Sequence, residues 1–198
     1  MKIFYSKDGK QSGVTLIHNS DEKEPSTCNY IFYKDKTCNE MHGKHEVSSL
    51  KHAEYMFSDS SITSYSANSY NLSYGKGMFC NCENLTSFTG DISNVEDASE
   101  MFCNCENIEN FTQNTELFKL KNANKMYYNS SLKQFNAFDE SYFCSKLEDC
   151  TSMFENCKQL EKVNIGERNY NQEVFIADNL CKNCTNLTTF TGSFTVSG

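Results

Sequence analysis

The methionines of this chain recur at a near-constant interval, each in the same surroundings. Met56, Met78, Met101, Met126 and Met153, with Leu180 in the sixth place, stand 22, 23, 25, 27 and 27 residues apart. Six residues before each comes an aliphatic side chain: Leu50, Leu72, Val95, Leu120, Leu147 or Val174. Three before comes a small one: Ala53, Gly75, Ala98, Ala123, Cys150 or Ala177. The residue after the anchor is Phe57, Phe79, Phe102, Tyr127 or Phe154, and Cys181 in the last copy. Four after it stands Ser60, Cys82, Cys105, Ser130, Cys157 or Cys184. An aliphatic position follows (Ile62, Leu85, Ile108, Leu132, Leu160, Leu187), and three residues later Tyr65, Phe88, Phe111, Phe135, Val163 or Phe190. A unit this short cannot bury its own apolar face, so the copies must stack on one another.

Apolar residues at offsets −6, −3, 0, +1 and +4 from the anchor fit one side of a helix of about two turns. Ser93, with Glu96 three residues on, has the pattern of a capping box at the head of the third copy. Beyond the anchor the period changes to alternation, as in Phe88-Thr89-Gly90, Phe135-Asn136-Ala137 and Val163-Asn164-Ile165, which reads as a short strand. The expectation is an α/β chain of about six helix–strand repeats over residues 46–198, with a parallel sheet on one wall. Residues 1–45 lie outside this register. Lys2–Tyr5, Val14–Ile17 and Tyr30–Tyr33 read as strands separated by turn residues, making 1–45 a β-rich N-terminal cap.

The third copy, Asn94-Val95-Glu96-Asp97-Ala98-Ser99-Glu100-Met101-Phe102 with Cys105 and Ile108, resembles the BspA-type leucine-rich repeat, also called the mycoplasma lipoprotein or DUF285 repeat. Lys51-His52-Ala53-Glu54-Tyr55-Met56-Phe57 fits as its first copy. The Leu-Asp-Leu-Ser strand usual in that family is here Phe-Thr-Gly or Phe-Asn-Ala. The resemblance implies a right-handed, leucine-rich-repeat-like solenoid that binds other molecules. It implies no catalytic residues and no cofactor.

Eleven cysteines raise the question of metal or disulfide chemistry. Cys82, Cys105, Cys157 and Cys184 occupy one repeat position that also accepts Ser60 and Ser130, so they read as small buried residues in a ladder of reduced thiols. Cys80 and Cys103, at +2, look exposed and adjacent in the stack. The Cys-x-x-Cys of Cys181 and Cys184 follows from repeat positions +1 and +4. A weak metal candidate remains in the cap, where Cys28, Cys38, His42 and His45 have a zinc-like order but not a standard spacing.

Function follows largely by exclusion. The net charge of −8 argues against binding a phosphate backbone, so no direct nucleic acid is expected. There is no phosphate-binding glycine loop, nucleophile elbow or HExxH, and the chain reads as non-enzymatic. The N-terminal MKIFYSKDGKQSG holds no apolar run, and no segment approaches the ~20 apolar residues that span a membrane. The reading is cytoplasmic as given, or cell-surface or secreted if the chain is part of a longer one.

Two surfaces are candidates for binding. With the ring of each strand pointing inward, its neighbours point outward from the sheet and make a neutral polar face that includes Thr89, Asn110, Thr112, Gln134, Asn136, Lys162 and Asn164. Glu96, Asp97, Glu100, Glu106 and Glu109 gather instead around the second and third copies' other wall. The leading expectation is a protein partner, or a glycan, on the polar face. The alternative is an intracellular acidic inhibitor, from a phage or mobile element, that blocks a nucleic-acid-binding or defence protein. An uncapped last repeat adds a third expectation, a homodimer through the C-terminal coil.

Overall fold

The computed structural model describes residues 2–5, 14–17, 27–36, 40–41, 50–67, 69–108, 110–111, 117–136, 146–167 and 176–193. Among these the regular structure is short strands in small sheets. β1 (Lys2–Tyr5) and β2 (Val14–Ile17) form an antiparallel pair. β3 (Glu40–Met41), β4 (Ser64–Tyr65), β5 (Ser87–Phe88) and β6 (Asn110–Phe111) form a parallel sheet in chain order. β7 (Gln134–Asn136), β8 (Lys162–Glu167) and β9 (Thr189–Ser193) form a second, also parallel. Register follows the repeat: Ser64 faces Ser87, Ser87 faces Asn110, and Gln134, Lys162 and Thr189 lie in line.

The other wall of each copy contains no helix among the described residues. It is a run of tight turns. The N–H groups of Met56, Ser58 and Ser60 close turns onto the carbonyls of Ala53, Tyr55 and Phe57 at 3.0 to 3.2 Å. The alternate N–H groups, of Ala53, Tyr55, Phe57 and Asp59, leave the copy and donate to Tyr74, Lys76, Met78 and Cys80 of the next at 2.8 to 2.9 Å. A helix would have kept all of them inside the segment. Left-handed backbone at Tyr55 (φ 54°) and Asp59 (φ 58°), each third in its turn, gives type II geometry and excludes helix propagation. The apolar offsets are the same in both arrangements, because the turns also return every third or fourth side chain to one side. Ser93 and Glu96 accordingly cap nothing: the Ser93 N–H donates to Asp91 Oδ1, and Glu96 pairs with Lys121.

These turn segments stack in one uninterrupted column. Parallel bridges run from Thr27 to His52, Tyr74, Asp97, Asn122, Asp149 and Ile176 in succession. The first of them lies ahead of residue 46. Residues 27–36 repeat the pattern, with Cys28, Tyr30, Phe32 and Lys34 donating to His52, Glu54, Met56 and Ser58, and with left-handed Tyr30 and Lys34. Ile31, which stands 25 residues before Met56, takes the anchor position. Tyr30–Tyr33, read from sequence as a strand, is therefore part of a rung of turns.

The core is a column of rings. Phe32, Phe57, Phe79, Phe102, Tyr127 and Phe154 stack face to face, with centroids 5.1 to 5.9 Å apart and planes within 8° of parallel. From the strand wall Tyr65 and Phe88 meet this column edge-on at 5.0 to 5.8 Å. Each such pair contributes about 0.5–1.5 kcal/mol beyond the area it buries. The anchors Met56, Met78, Met101, Met126 and Met153 are almost wholly buried beside it. The column ends at Phe154: the last rung has Cys181 in the ring position, and Leu180, Cys181, Cys184 and Leu187 are only partly covered.

Candidate functional site

The strand wall displays what the register predicts. Tyr65, Phe88, Phe135 and Val163 are buried, whereas Ser87, Thr89, Gln134, Asn136 and Lys162 on either side of them are exposed. Period-two alternation sends the ring inward and the short polar residues out. Asn164 is half-buried. Asn110 pairs in register with Ser87 through the backbone of β6. Thr112 and Glu109 lie outside the described residues. Of the candidates on this face Lys162 carries the charge, and Ser87, Thr89, Gln134 and Asn136 offer hydroxyl and amide groups; Glu40 of β3 stands in register with Ser64 at the head of the same column.

The acidic residues of the turn wall are held differently. Glu96 accepts from Lys121 Nζ at 2.8 Å, and this bond keeps its carboxyl below the usual range. Asp97 Oδ1 accepts the Ser99 N–H at 2.9 Å, and Asn122 and Asp149 make the same local turn with Asn124 and Thr151. Glu100 accepts the Tyr55 hydroxyl at 3.3 Å. Tyr55 reaches it by lying across Gly77, where a Cβ would meet the ring at 2.3 Å, and burial with the nearby Glu100 carboxylate pushes the phenol up to about 12. Glu106 is exposed, its Oε1 3.4 Å from Asn129 Nδ2. Three of the four described acidic candidates thus accept hydrogen bonds within the stack at 2.8 to 3.3 Å, and exposed Glu106 has a longer contact at 3.4 Å.

One column with a structural role has no counterpart in the sequence reading. The left-handed residue at +3 is Asp59, Asn81, Asn104, Asn129, Asn156 or Asn183. Their side chains bond along the stack: Asn81 to Asp59 at 3.0 Å, Asn104 to Asn81 at 2.7 Å, Asn129 to Asn104 at 3.1 Å, and Asn183 to Asn156 at 2.8 Å. Asparagine tolerates positive φ better than other residues with a side chain, and its amide both donates and accepts, so it satisfies the turn and the ladder together. The recurrence of Asn two residues after the ring and three after the anchor was the available signal. Exposed rings were also missed: Tyr30 stacks on Tyr55 at 5.4 Å, Tyr33 meets Tyr30 edge-on, and His52 stacks on Tyr74 at 4.7 Å.

The +4 thiols of Cys82, Cys105 and Cys157 are buried and that of Cys184 is half-buried, and each donates back to the ring residue of the preceding rung. Cys82 bonds the Phe57 carbonyl, Cys105 that of Phe79, Cys157 that of Tyr127 and Cys184 that of Phe154, at 2.9 to 3.1 Å. Burial pushes Cys82 up to about 12 and Cys157 up to about 11. Cys80 and Cys103 at +2 are not exposed, as their polar equivalents suggested: each is 8% exposed, and the neighbouring Cys103 thiol together with burial raises Cys80. Of the cap's metal candidates, Cys28 is buried in the core, and burial raises its thiol. Cys38, His42 and His45 lie outside the described residues. No cluster of three or more metal-ligating side chains occurs among the described residues. No helix among them is long and apolar enough to cross a membrane.

The family model described as "Mycoplasma protein of unknown function, DUF285" matches residues 3–114 and, in a second overlapping segment, 76–193. The match therefore takes in residues 3–45 as well as the copies that follow. No curated protein and no solved structure matches the chain.

Proposed function

The chain belongs to the DUF285 family, and from that premise we propose that it is a BspA-like, leucine-rich-repeat solenoid that binds a protein partner without catalysing a reaction on it. Stacked copies with parallel strands are the arrangement that such a solenoid requires. The contact surface in this reading is the strand wall. The single observation that supports it is the in-register outward row, half-buried Ser64 beside exposed Ser87 and exposed Gln134 beside exposed Lys162, over the buried inward residues Tyr65, Phe88, Phe135 and Val163. Exposed Ser87, Gln134 and Asn136 on this face can supply hydrogen bonds to a partner. Charge-poor surfaces of this kind suit protein contacts, in which charged residues are depleted at the centre.

The acidic wall is the weaker surface, because Glu96, Asp97 and Glu100 already hold partners within the chain. An inhibitor that docked there on a basic protein would have to compete with Lys121, Ser99 and Tyr55 for them. Capture of partners from the native cell and its host, by wild-type and substituted chains side by side, tests the choice. Ser87→Arg, Gln134→Arg and Asn136→Arg together should weaken retention of the captured protein by about tenfold or more, roughly 1.4 kcal/mol. Glu96→Gln with Glu106→Gln should leave it unchanged. The opposite pattern would move the interface to the turn wall.

A further inference from the structure

Nine cysteines fall among the described residues, and seven of them are buried. The two that are not, Cys181 and Cys184, share the last rung at +1 and +4. They bracket a single hydrogen-bonded turn, in which the Cys184 N–H donates to the Cys181 carbonyl at 3.2 Å and Asn183 holds a left-handed φ of 63°. The ends of such a turn lie within about 7 Å at their Cα atoms. A disulfide spans ~4.4–6.8 Å. Both side chains are half-buried, and the Cys184 thiol donates to the Phe154 carbonyl at 2.9 Å. No earlier rung offers this pair, because its +1 position carries a ring of the stacked column.

We infer that Cys181 and Cys184 form a reversible dithiol–disulfide pair, a site of oxidative modification on the last rung. The co-reactant is a low-molecular-weight aliphatic disulfide of the glutathione class. The Cys181 thiolate attacks one sulfur of that reagent, which breaks its S–S bond, forms a mixed disulfide on Cys181 and releases one thiolate. Cys184 then gives its proton to solvent and attacks the Cys181 sulfur, closing the intrachain bond and expelling the second thiolate. Two electrons pass from the protein pair to the reagent, which leaves as two thiols.

The order of attack follows from the different settings of the two thiols. The hydrogen bond from Cys184 holds the Cys181 thiol below its usual range, while the same bond and burial raise Cys184. Oxidation removes the Cys184 proton that binds Phe154, so the disulfide loosens the last rung from the one beneath it. Cys80 and Cys103 are the internal comparison. They stand at the same position of two successive rungs, with no shared turn to draw them together and with 8% of each exposed.

The test is limited oxidation of the folded, reduced chain with oxidised glutathione, followed by native alkylation and peptide mass mapping. The Cys181–Cys184 disulfide should form before any other. Reduced Cys181 should be alkylated about tenfold or more faster than any buried thiol, since access and thiolate character both favour it. Cys184→Ser, a residue that the +4 position accepts at Ser60 and Ser130, should stop the reaction at glutathione held on Cys181. Cys181→Ser should give little capture at Cys184. A first disulfide at Cys80–Cys103, or no mixed disulfide on Cys181 in Cys184→Ser, would overturn the assignment.

Discussion

The two walls of this molecule are built by the same repeat but held by different means. The turn wall runs unbroken from Thr27 to Ile176 through six parallel bridges, and every rung sends four N–H groups to the next. A ring column, an asparagine ladder and a thiol column reinforce it along its length. The strand wall consists of strands of two to six residues, divided between two parallel sheets. What separates them is where hydrogen-bonding capacity goes. On the turn wall side chains and backbone are committed to neighbours, which fixes the stack. On the strand wall the backbone pairs but the outward side chains remain exposed, so that surface can vary without disturbing the core. The difference teaches that the contacts that fix the stack lie on one side of each copy, which leaves the other side's surface for the recognition proposed above.

Substitutions should reproduce the asymmetry. Phe102 lies between Phe79 and Tyr127 at 5.5 Å from each and meets Phe88 edge-on at 5.0 Å. Phe102→Ala should cost about 3–5 kcal/mol in chemical denaturation, the range for a buried ring lost to a cavity. Alkaline pH should come next. Burial raises the Tyr65 phenol from 10.0 to about 12, so the folded state holds this proton more tightly than the unfolded chain. The stability it confers is complete below pH 10 and is lost as pH rises towards 12. Tyr65→Phe should flatten that decline, and an unchanged alkaline midpoint would contradict it.

Asn104 tests the ladder itself. Asn104→Ala loses bonds of 2.7 and 3.1 Å and puts a less tolerant residue at φ 58°, which should cost about 1–2 kcal/mol. Asn104→Gly restores the backbone freedom without the amide, and should recover part of the loss. Equal losses in both variants would assign the whole effect to the ladder. Cys105→Ser keeps a small donor next to the Phe79 carbonyl and should stay within about 1 kcal/mol of wild type. On the other wall, Ser87→Ala and Gln134→Ala should change stability by no more than about 0.5 kcal/mol, as exposed sites do. A larger effect there would erase the contrast between the walls.

The repeat was legible because its columns are chemical. Met56 and Phe57 recur as Met78 and Phe79 or Met101 and Phe102, and those columns are the core. The turn wall was misread as helix because buried offsets of −3, 0, +1 and +4 do not distinguish a helix from successive type II turns. Asn81, Asn104, Asn129, Asn156 and Asn183, all left-handed, carried the missing information. The rung at 27–36 escaped because Ile31 replaces the methionine, Asp35 stands at +4 and Pro25 at −6, although Cys28 and Phe32 keep their places. Among the candidate residues, the exposure of Thr89, Gln134, Asn136 and Lys162 followed from alternation alone. The engagement of Glu96 with Lys121, or of Glu100 with Tyr55, did not, since each joins residues 25 or 45 apart whose adjacency depends on the rise per rung.

Native-state amide hydrogen exchange measures the division between the walls most directly. The N–H groups of Phe57, Phe79, Phe102, Tyr127 and Phe154, each bonded to the next rung at 2.8 to 2.9 Å, should exchange only through global unfolding, with one shared free energy. The amides of the short strands should open at lower free energies and without involving the turns. Turn-wall amides that exchange faster than those of β4, β5 and β7 would contradict the account.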